Sequence, residues 1–395
     1  MLTYDQMNID DVTPMMQQYL EAKKQHPDSL LFFRLGDFYE LFFDDALTAS
    51  KELELTLTQR DCGLEEKAPM CGVPHHASES YINRLVQKGY KVAICEQMED
   101  PATAKGIVKR SVIKVVTPGT IMDDKQDTSK YSYLVSVFQS GSQFGLAACD
   151  LATGKFETCE IFFGATEAKV LDQLACWQPT ELLCNALFAE SEACNDYLRQ
   201  YQCLLTLQPD SAFSEAVIDR YSELLSTEQR GYWRQASACL LHYLEDTQFV
   251  LPEHIKSIEP FEHTDFMAMD IQARRNLELS ETIRDRKKRG SLIWAIDRCK
   301  TSMGSRMLRT WMERPLMNLH DIHRRQDAIE ALIDAFMERQ SLLEQLTGLY
   351  DLERLAGRIA LHTASPRDLR SLCLLLQKLP ALRETISAAE DPYIR

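Results

Sequence analysis

From residue 30 to residue 43 the chain reads Leu30-Leu31-Phe32-Phe33-Arg34-Leu35-Gly36-Asp37-Phe38-Tyr39-Glu40-Leu41-Phe42-Phe43, and no other stretch restricts its fold as much. So dense an apolar run has to be covered by the rest of the chain. Leu30 to Leu35 has the bulk and length of a strand, and Gly36-Asp37 puts a permissive residue before a favourable helix N-cap. The pattern predicts a strand, a turn and then a helix starting from Asp37. Glu40, three residues on, falls in the first helical turn, where a carboxylate suits the helix dipole. Tyr39, Phe42, Phe43 and Ala46 recur at helical spacing, so Phe38 has, by position alone, the place of a core aromatic.

Composition narrows the class. The 395 residues suffice for two or three domains, and 45% hydrophobic with 26% charged residues is ordinary for a globular protein. The first residues, Met1 to Asp5, lack the basic and apolar segments of a signal peptide, and no apolar run reaches membrane-spanning length. Cytoplasm is the expected location, with no membrane partner. The twelve cysteines are scattered without a C-x-x-C pair, so neither a zinc site nor a secreted disulfide framework is predicted. A formal net charge of -15 argues against a generic nucleic-acid binder. The distribution is uneven, however. Basic and acidic residues number 13 and 18 in 1–120, 9 and 23 in 121–265, and 22 and 18 in 266–395. The acidic middle segment is unsuited to lying on a phosphate backbone.

In chain order, Pro14 to Lys24 reads as a helix with Thr13 as N-cap. Glu54 to Thr58 alternates like a half-buried strand, Ser78 to Lys88 reads as a helix stopped by Gly89, and Tyr90 to Cys95 as a strand. Lys105 to Lys114 interleaves cations with β-branched residues. Two readings stay open there: an edge strand protected by lysines, or a strand whose cations contact phosphates. After the polar turn at Thr117 to Asp127, three strands (Tyr133–Val137, Phe144–Asp150, Lys155–Ile161) precede a helix at Ala165–Cys176. From Glu215 the pattern is helical, and Met303–Met312, Ile322–Phe336, Ser341–Leu346, Leu349–Ala360 and Pro366–Gln377 read as successive amphipathic helices.

Several separated motifs resemble one family. Gly36-Asp37-Phe38-Tyr39-Glu40-Leu41-Phe42 is similar to the signature of the bacterial MutS mismatch-recognition proteins. Pro69 to His76, Ala93-Ile94-Cys95-Glu96-Gln97, Val116-Thr117-Pro118-Gly119-Thr120, Ser302-Met303-Gly304-Ser305-Arg306 and Thr363 to Leu369 extend the likeness in order along the chain. The resemblance implies a multidomain protein: a mismatch-binding α/β domain with a mixed sheet (1–120), an α/β ribonuclease H-like connector domain (121–265) and part of an all-α core, or lever, region (266–395). It implies that Phe38 wedges beside a mispaired base and that Glu40 hydrogen-bonds it. Supporting DNA contacts are expected from Arg60, Met70, His76, Lys105, Lys109 and Arg110. The implied function is DNA mismatch recognition in post-replicative repair, with kinking of the duplex at mispaired or looped bases. The implied partners are double-stranded DNA carrying mismatches or small loops, a second copy of the chain, and MutL through the connector domain.

No G-x-x-x-x-G-K-[ST] phosphate loop occurs, and Gly154-Lys155 is followed by Phe156. This chain is therefore not expected to hydrolyse ATP or to hold a cofactor or metal. In the family, ATP and Mg²⁺ belong to a C-terminal domain which, like the clamp, is not expected here, and the chain reads as an N-terminal portion. Two alternatives remain: a MutS-like paralogue acting in recombination, and a metal-dependent nuclease of ribonuclease H type. The second rests on Asp150, which ends a strand before Leu151-Ala152-Thr153-Gly154, where such nucleases place a metal-binding carboxylate. The same Asp is also ordinary turn chemistry.

Overall fold

The computed structural model describes residues 9–99, 106–122, 127–162, 167–225, 231–250, 252–387, 391 and 394. Two compact units divide the chain, residues 1–123 with 243–251 and residues 124–242 with 252–395. Among the described residues no helix is long and apolar enough to cross a membrane.

The first unit is built on a six-stranded mixed sheet of order β3-β4-β2-β1-β5-β6. Its elements are α1 (Pro14–Gln25), β1 (Ser29–Leu35), β2 (Phe38–Phe42), α2 (Phe43–Leu53), β3 (Thr58–Arg60), β4 (Ala68–Pro74), α3 (Ser78–Gln87), β5 (Lys91–Gln97) and β6 (Arg110–Val116). The sequence-based strand–turn–helix over 30–43 is corrected here. Asp37 caps no helix, and Phe38 to Phe42 forms a strand that turns back along β1, pairing Leu35 with Phe38 and Phe33 with Glu40. The cause is the two-residue link. Gly36 takes φ +58 at the first central position while Asp37 stays out of the left-handed region, the backbone of a tight hairpin turn with Gly leading. Burial along β2 then alternates, with Phe38 exposed, Tyr39 buried, Glu40 half-buried and Leu41 buried.

The helix starts only at Phe43, whose φ of +53 breaks that alternation. Phe42 and Phe43 consequently enter the same core as Tyr19, Leu31 and Phe33. The strand expected at Glu54–Thr58 is also displaced: Glu54 is the left-handed C-cap of α2, and β3 begins at Thr58.

Helices cover both faces of this sheet, which explains why β1 reads as a continuous apolar run rather than an alternating one. Phe32, Tyr39, Leu41, Cys71 and Val73 pack with residues of α2 and α3 on one side. Leu31, Phe33, Phe42, Ala93 and Cys95 pack with Met16, Tyr19 and Leu20 of α1 on the other. A buried ion pair fastens the second side. Lys23 Nζ of α1 lies 2.8 Å from Asp45 Oδ1 of α2, and Asp45 Oδ2 accepts from the Leu31 amide at 2.9 Å and from the Tyr19 hydroxyl at 3.2 Å.

The second unit carries a second six-stranded sheet, order β11-β10-β7-β8-β9-β12. Its strands are β7 (Leu134–Ser140), β8 (Gln143–Asp150), β9 (Lys155–Ile161), β10 (Glu181–Cys184), β11 (Leu204–Leu207) and β12 (Glu259–Pro260). β7, β8 and β9 form an antiparallel meander, while β10 joins β7 and β11 in parallel. Among the helices that follow, α4 (Glu167–Trp177), α5 (Ser302–Glu313), α6 (Leu319–Asp334), α7 (Phe336–Leu346), α8 (Leu352–Ala360) and α9 (Pro366–Ser387) correspond to the helices read from the sequence, with ends shifted by several residues. Side-chain caps set the starts of α5 and α8: Thr301 accepts from the Gly304 amide at 3.0 Å, and Asp351 from that of Arg354 at 3.3 Å. Arg306, fully buried in α5, makes two hydrogen bonds to the Asp351 carboxylate (2.7 and 2.8 Å) and one to Glu353 (2.6 Å).

A candidate nucleic-acid interface at the tip of the first sheet

Strand register decides which side chains share a surface. Phe38 and Glu40, two apart on β2, point to one face about 7 Å apart. Pairing of Phe38 with Pro74, Glu40 with Gly72 and Phe42 with Met70 puts Met70 on that face, and pairing of Arg60 with Ala68 adds Arg60. Across β1 and β5, the pairs Phe33–Cys95 and Gln97–Arg110 place Arg110 there as well. This is the face that α1 covers deeper in the sheet. At the hairpin end Phe38 stands 48% exposed, beyond the core formed with α1. Burying so large an aromatic elsewhere in this domain is the rule, so its exposure at a turn marks it as a contact residue.

Glu40 is not a helix-start acid. Its carboxylate forms an ion pair with Arg60 Nη1, reaching across β4 beside Gly72. A Cβ at position 72 would stand 3.3 Å from the Tyr39 carbonyl oxygen and 3.5 Å from Glu40 Cγ, so the glycine leaves the Glu40 side chain its space. Glu40 keeps 15% of its side chain exposed and Arg60 37%, so the pair lies at the edge of the solvent.

The other expected contacts divide. His76 is exposed in the short 3₁₀ turn after β4, two residues beyond Pro74, the partner of Phe38. Lys109 is exposed just before β6, its amide donating to Glu99 at 3.0 Å. Met70 shares the face but sits two register steps from Phe38, packed against the α1 core. Arg110 is engaged by the protein itself: Nε donates to the Arg34 carbonyl and Nη1 to that of Val108, both at 2.8 Å, and the guanidinium lies 5.2 Å from the centre of the Phe33 ring. Burial lowers its pKa. Arg110 thus clasps the edge strand to β1 rather than presenting a free cation. Lys105 lies outside the described residues.

Asp150 has a local function. Fully buried at the end of β8, it accepts from the Ser132 amide at 2.7 Å and the Thr153 amide at 3.1 Å, and burial raises its pKa. One oxygen holds the β8–β9 turn and the other the segment leading into β7. Among the described residues no group of three or more His, Cys, Asp or Glu is placed to hold a metal ion, and the nuclease alternative gains no support.

With this surface in view, comparison with known families is decisive. MutS domain I matches residues 13–125, MutS domain II residues 132–256 and MutS domain III residues 272–393. The chain belongs to the MutS family. Proteins named DNA mismatch repair protein MutS from Ruminiclostridium cellulolyticum and Acetivibrio thermocellus are 47% and 46% identical to it, over 97% and 95% of this chain and 45% and 44% of their own lengths. The MutS of Clostridioides difficile is 42% identical over 99% of this chain and 41% of its own length. The chain thus spans somewhat under half the length of these MutS relatives. The candidate interface lies wholly inside the MutS domain I match.

Sequence reasoning missed one group at this tip. Tyr39, read from its spacing as a helical core residue, points to the opposite face, where its hydroxyl donates to the Glu96 carboxylate. Arg34 Nη1 and His75 Nε2 face the same carboxylate at 3.7 and 3.6 Å. The signal was available: Glu96 is an acid directly after the apolar run Val92 to Cys95 in β5.

Proposed function

We propose that this chain recognises mispaired or looped bases in double-stranded DNA as the first step of mismatch repair, with Phe38 as the wedge and Glu40 as the base-edge contact. The observation that carries this reading is the 48% exposure of Phe38 at a hairpin tip, on the same face as Glu40. Membership of the MutS family, whose relatives here are named for DNA mismatch repair, supports it. A mispaired step is already poorly stacked, so inserting Phe38 and kinking the duplex costs less there than at a Watson–Crick step. Unstacking costs a few kcal/mol, and that difference is the source of discrimination. In this reading Arg60 and Lys109 are the cations that hold the register on the backbone, His76 is a polar contact beside them, Met70 a flanking apolar contact, and Arg110 a support for the edge strand.

The domain assignment that goes with this reading is a mismatch-binding domain over 1–120, a ribonuclease H-like connector over 121–265 and the core with its lever helices over 266–395. A second copy of the chain, MutL at the connector, and ATP with Mg²⁺ at a C-terminal ATPase domain complete the scheme. Catalysis is assigned to that domain and not to residues 1–395.

Glu40 offers a sharp test because a carboxylate beside DNA is repelled by phosphates. In the proposed complex its carboxylate turns from Arg60 to a base edge, accepting from an N–H or, when protonated, donating to a ring nitrogen, and Arg60 is released toward a phosphate. Glu40→Gln is then expected to tighten binding to matched duplex while narrowing the gap between matched and mispaired DNA. As a mere partner of Arg60, Glu40 contributes under about 1 kcal/mol, and the substitution leaves the ratio unchanged. Titrating both duplexes with the variant and following its unfolding midpoint distinguishes the two.

A further inference from the structure

We propose that Tyr39 and Glu96 are positioning residues that brace the hairpin tip from behind, so that the wedge does not yield when pressed into a duplex. The inference builds on the reading of Phe38 as the wedge. Tyr39 lies between Phe38 and Glu40 in sequence, and the period of two sends it to the other face, where it is 4% exposed. There its hydroxyl donates to Glu96, which stands near the end of β5, two strands away across β1. Arg34 of β1 and His75, just beyond β4, approach the same carboxylate, and the Glu96 carboxylate also accepts from the Gln97 amide at 3.3 Å. The rings of Tyr39 and His75 lie 5.4 Å apart, and the Arg34 guanidinium is 5.6 Å from the centre of the Tyr39 ring.

One carboxylate therefore gathers side chains from β1, from β2 and from the residue after β4. The backbone completes the arrangement. The His75 amide donates to the Asp37 carbonyl at 2.8 Å, and Arg34 Nε donates to the carbonyl of Gly36. All these bonds converge on the two-residue turn that carries Phe38. A hairpin turn that runs past the last residue β1 pairs with β5 is the part of a sheet most apt to bend, and a wedge on a bending turn loses the insertion energy to the hairpin. The network supplies stiffness without occupying the face that Phe38 and Glu40 present.

Tyr39→Phe removes one hydroxyl and keeps the ring, so it tests bracing without emptying the core. In the DNA-free chain it is expected to speed amide hydrogen exchange of residues 37–40 about fivefold or more, with exchange in the rest of the sheet and the melting temperature little changed. With duplexes carrying one G·T mispair or none, at micromolar protein and low salt, the ratio of affinities should fall about threefold to tenfold. Glu96→Gln, which keeps an acceptor, should give a smaller change in the same direction. Tyr90→Phe, which removes a hydroxyl bonded to Glu52 far from the tip, should move neither readout. Unchanged exchange in Tyr39→Phe overturns the brace. Faster exchange with an unchanged ratio overturns its part in recognition. Phe38→Ala, run in parallel, separates this from the wedge reading: if it also leaves the ratio unchanged, the wedge itself has failed, and the exchange measurement still decides the brace.

Discussion

Phe38→Ala is expected to remove the preference for mispaired over matched duplex, a loss of about tenfold or more in the ratio of affinities, because Phe38 is the large apolar group exposed at the hairpin turn itself. The cost to folding should be small. A buried core Phe costs about 3–5 kcal/mol on truncation to Ala, but with 48% of Phe38 already exposed the loss should stay below about 1.5 kcal/mol. Binding titrations with mispaired and matched oligonucleotides, paired with a melting curve, measure both. Retained discrimination, or a core-sized loss of stability, would contradict the role given to this side chain. Overall affinity should be weak and only shallowly salt-dependent, since few cations flank the wedge and the chain is acidic overall.

Asp45→Ala should destabilise the first unit by about 3–5 kcal/mol, because it leaves the Lys23 ammonium buried without its carboxylate. The side chains of Lys23 and Asp45 are 9% and 6% exposed, and Asp45 also accepts from the Leu31 amide and the Tyr19 hydroxyl. Its loss thus loosens α1, β1 and α2 together. Replacing both charges, Lys23→Met with Asp45→Leu, should recover much of the loss, since the unpaired charge is the main penalty. Urea unfolding of the single and double variants gives the comparison. A loss under about 1 kcal/mol for Asp45→Ala would mean that water reaches Lys23 and that the pair does not anchor these elements.

How much of this could be read beforehand depended on distance along the chain. β1, α3, β5 and the β7–β9 meander were legible because each is a local pattern with its own punctuation, such as Gly89 after α3. The hairpin was misread because Tyr39, Phe42, Phe43 and Ala46 satisfy a helical period while belonging to two elements. Phe42 ends a strand, Phe43 begins a helix with positive φ, and the two merge into one apparent stripe. The exposed–buried–half-buried–buried order of residues 38–41 was present as alternation, yet bulky residues at nearly every position masked it. Phe38 and Glu40 were singled out by family resemblance, and their shared face follows from the strand alone, since residues two apart on a helix point to different sides. Arg60 beside Glu40 and Glu96 behind Tyr39 depend on pairing between residues 20 and 57 apart, which no local pattern encodes. Arg110 shows the converse: a cation on an edge strand invites a phosphate-contact reading, and only the positions of the Arg34 and Val108 carbonyls show its donors engaged.

The central claim, that the Phe38 side chain inserts at a mispaired base, is tested most directly by photo-crosslinking. A duplex carrying a photoreactive thymine analogue opposite guanine, irradiated with the chain and digested for mass spectrometry, should give an adduct on the peptide containing Phe38, with little yield when the analogue faces adenine. Adducts confined to other peptides, or equal yields from the paired and mispaired duplexes, would contradict it.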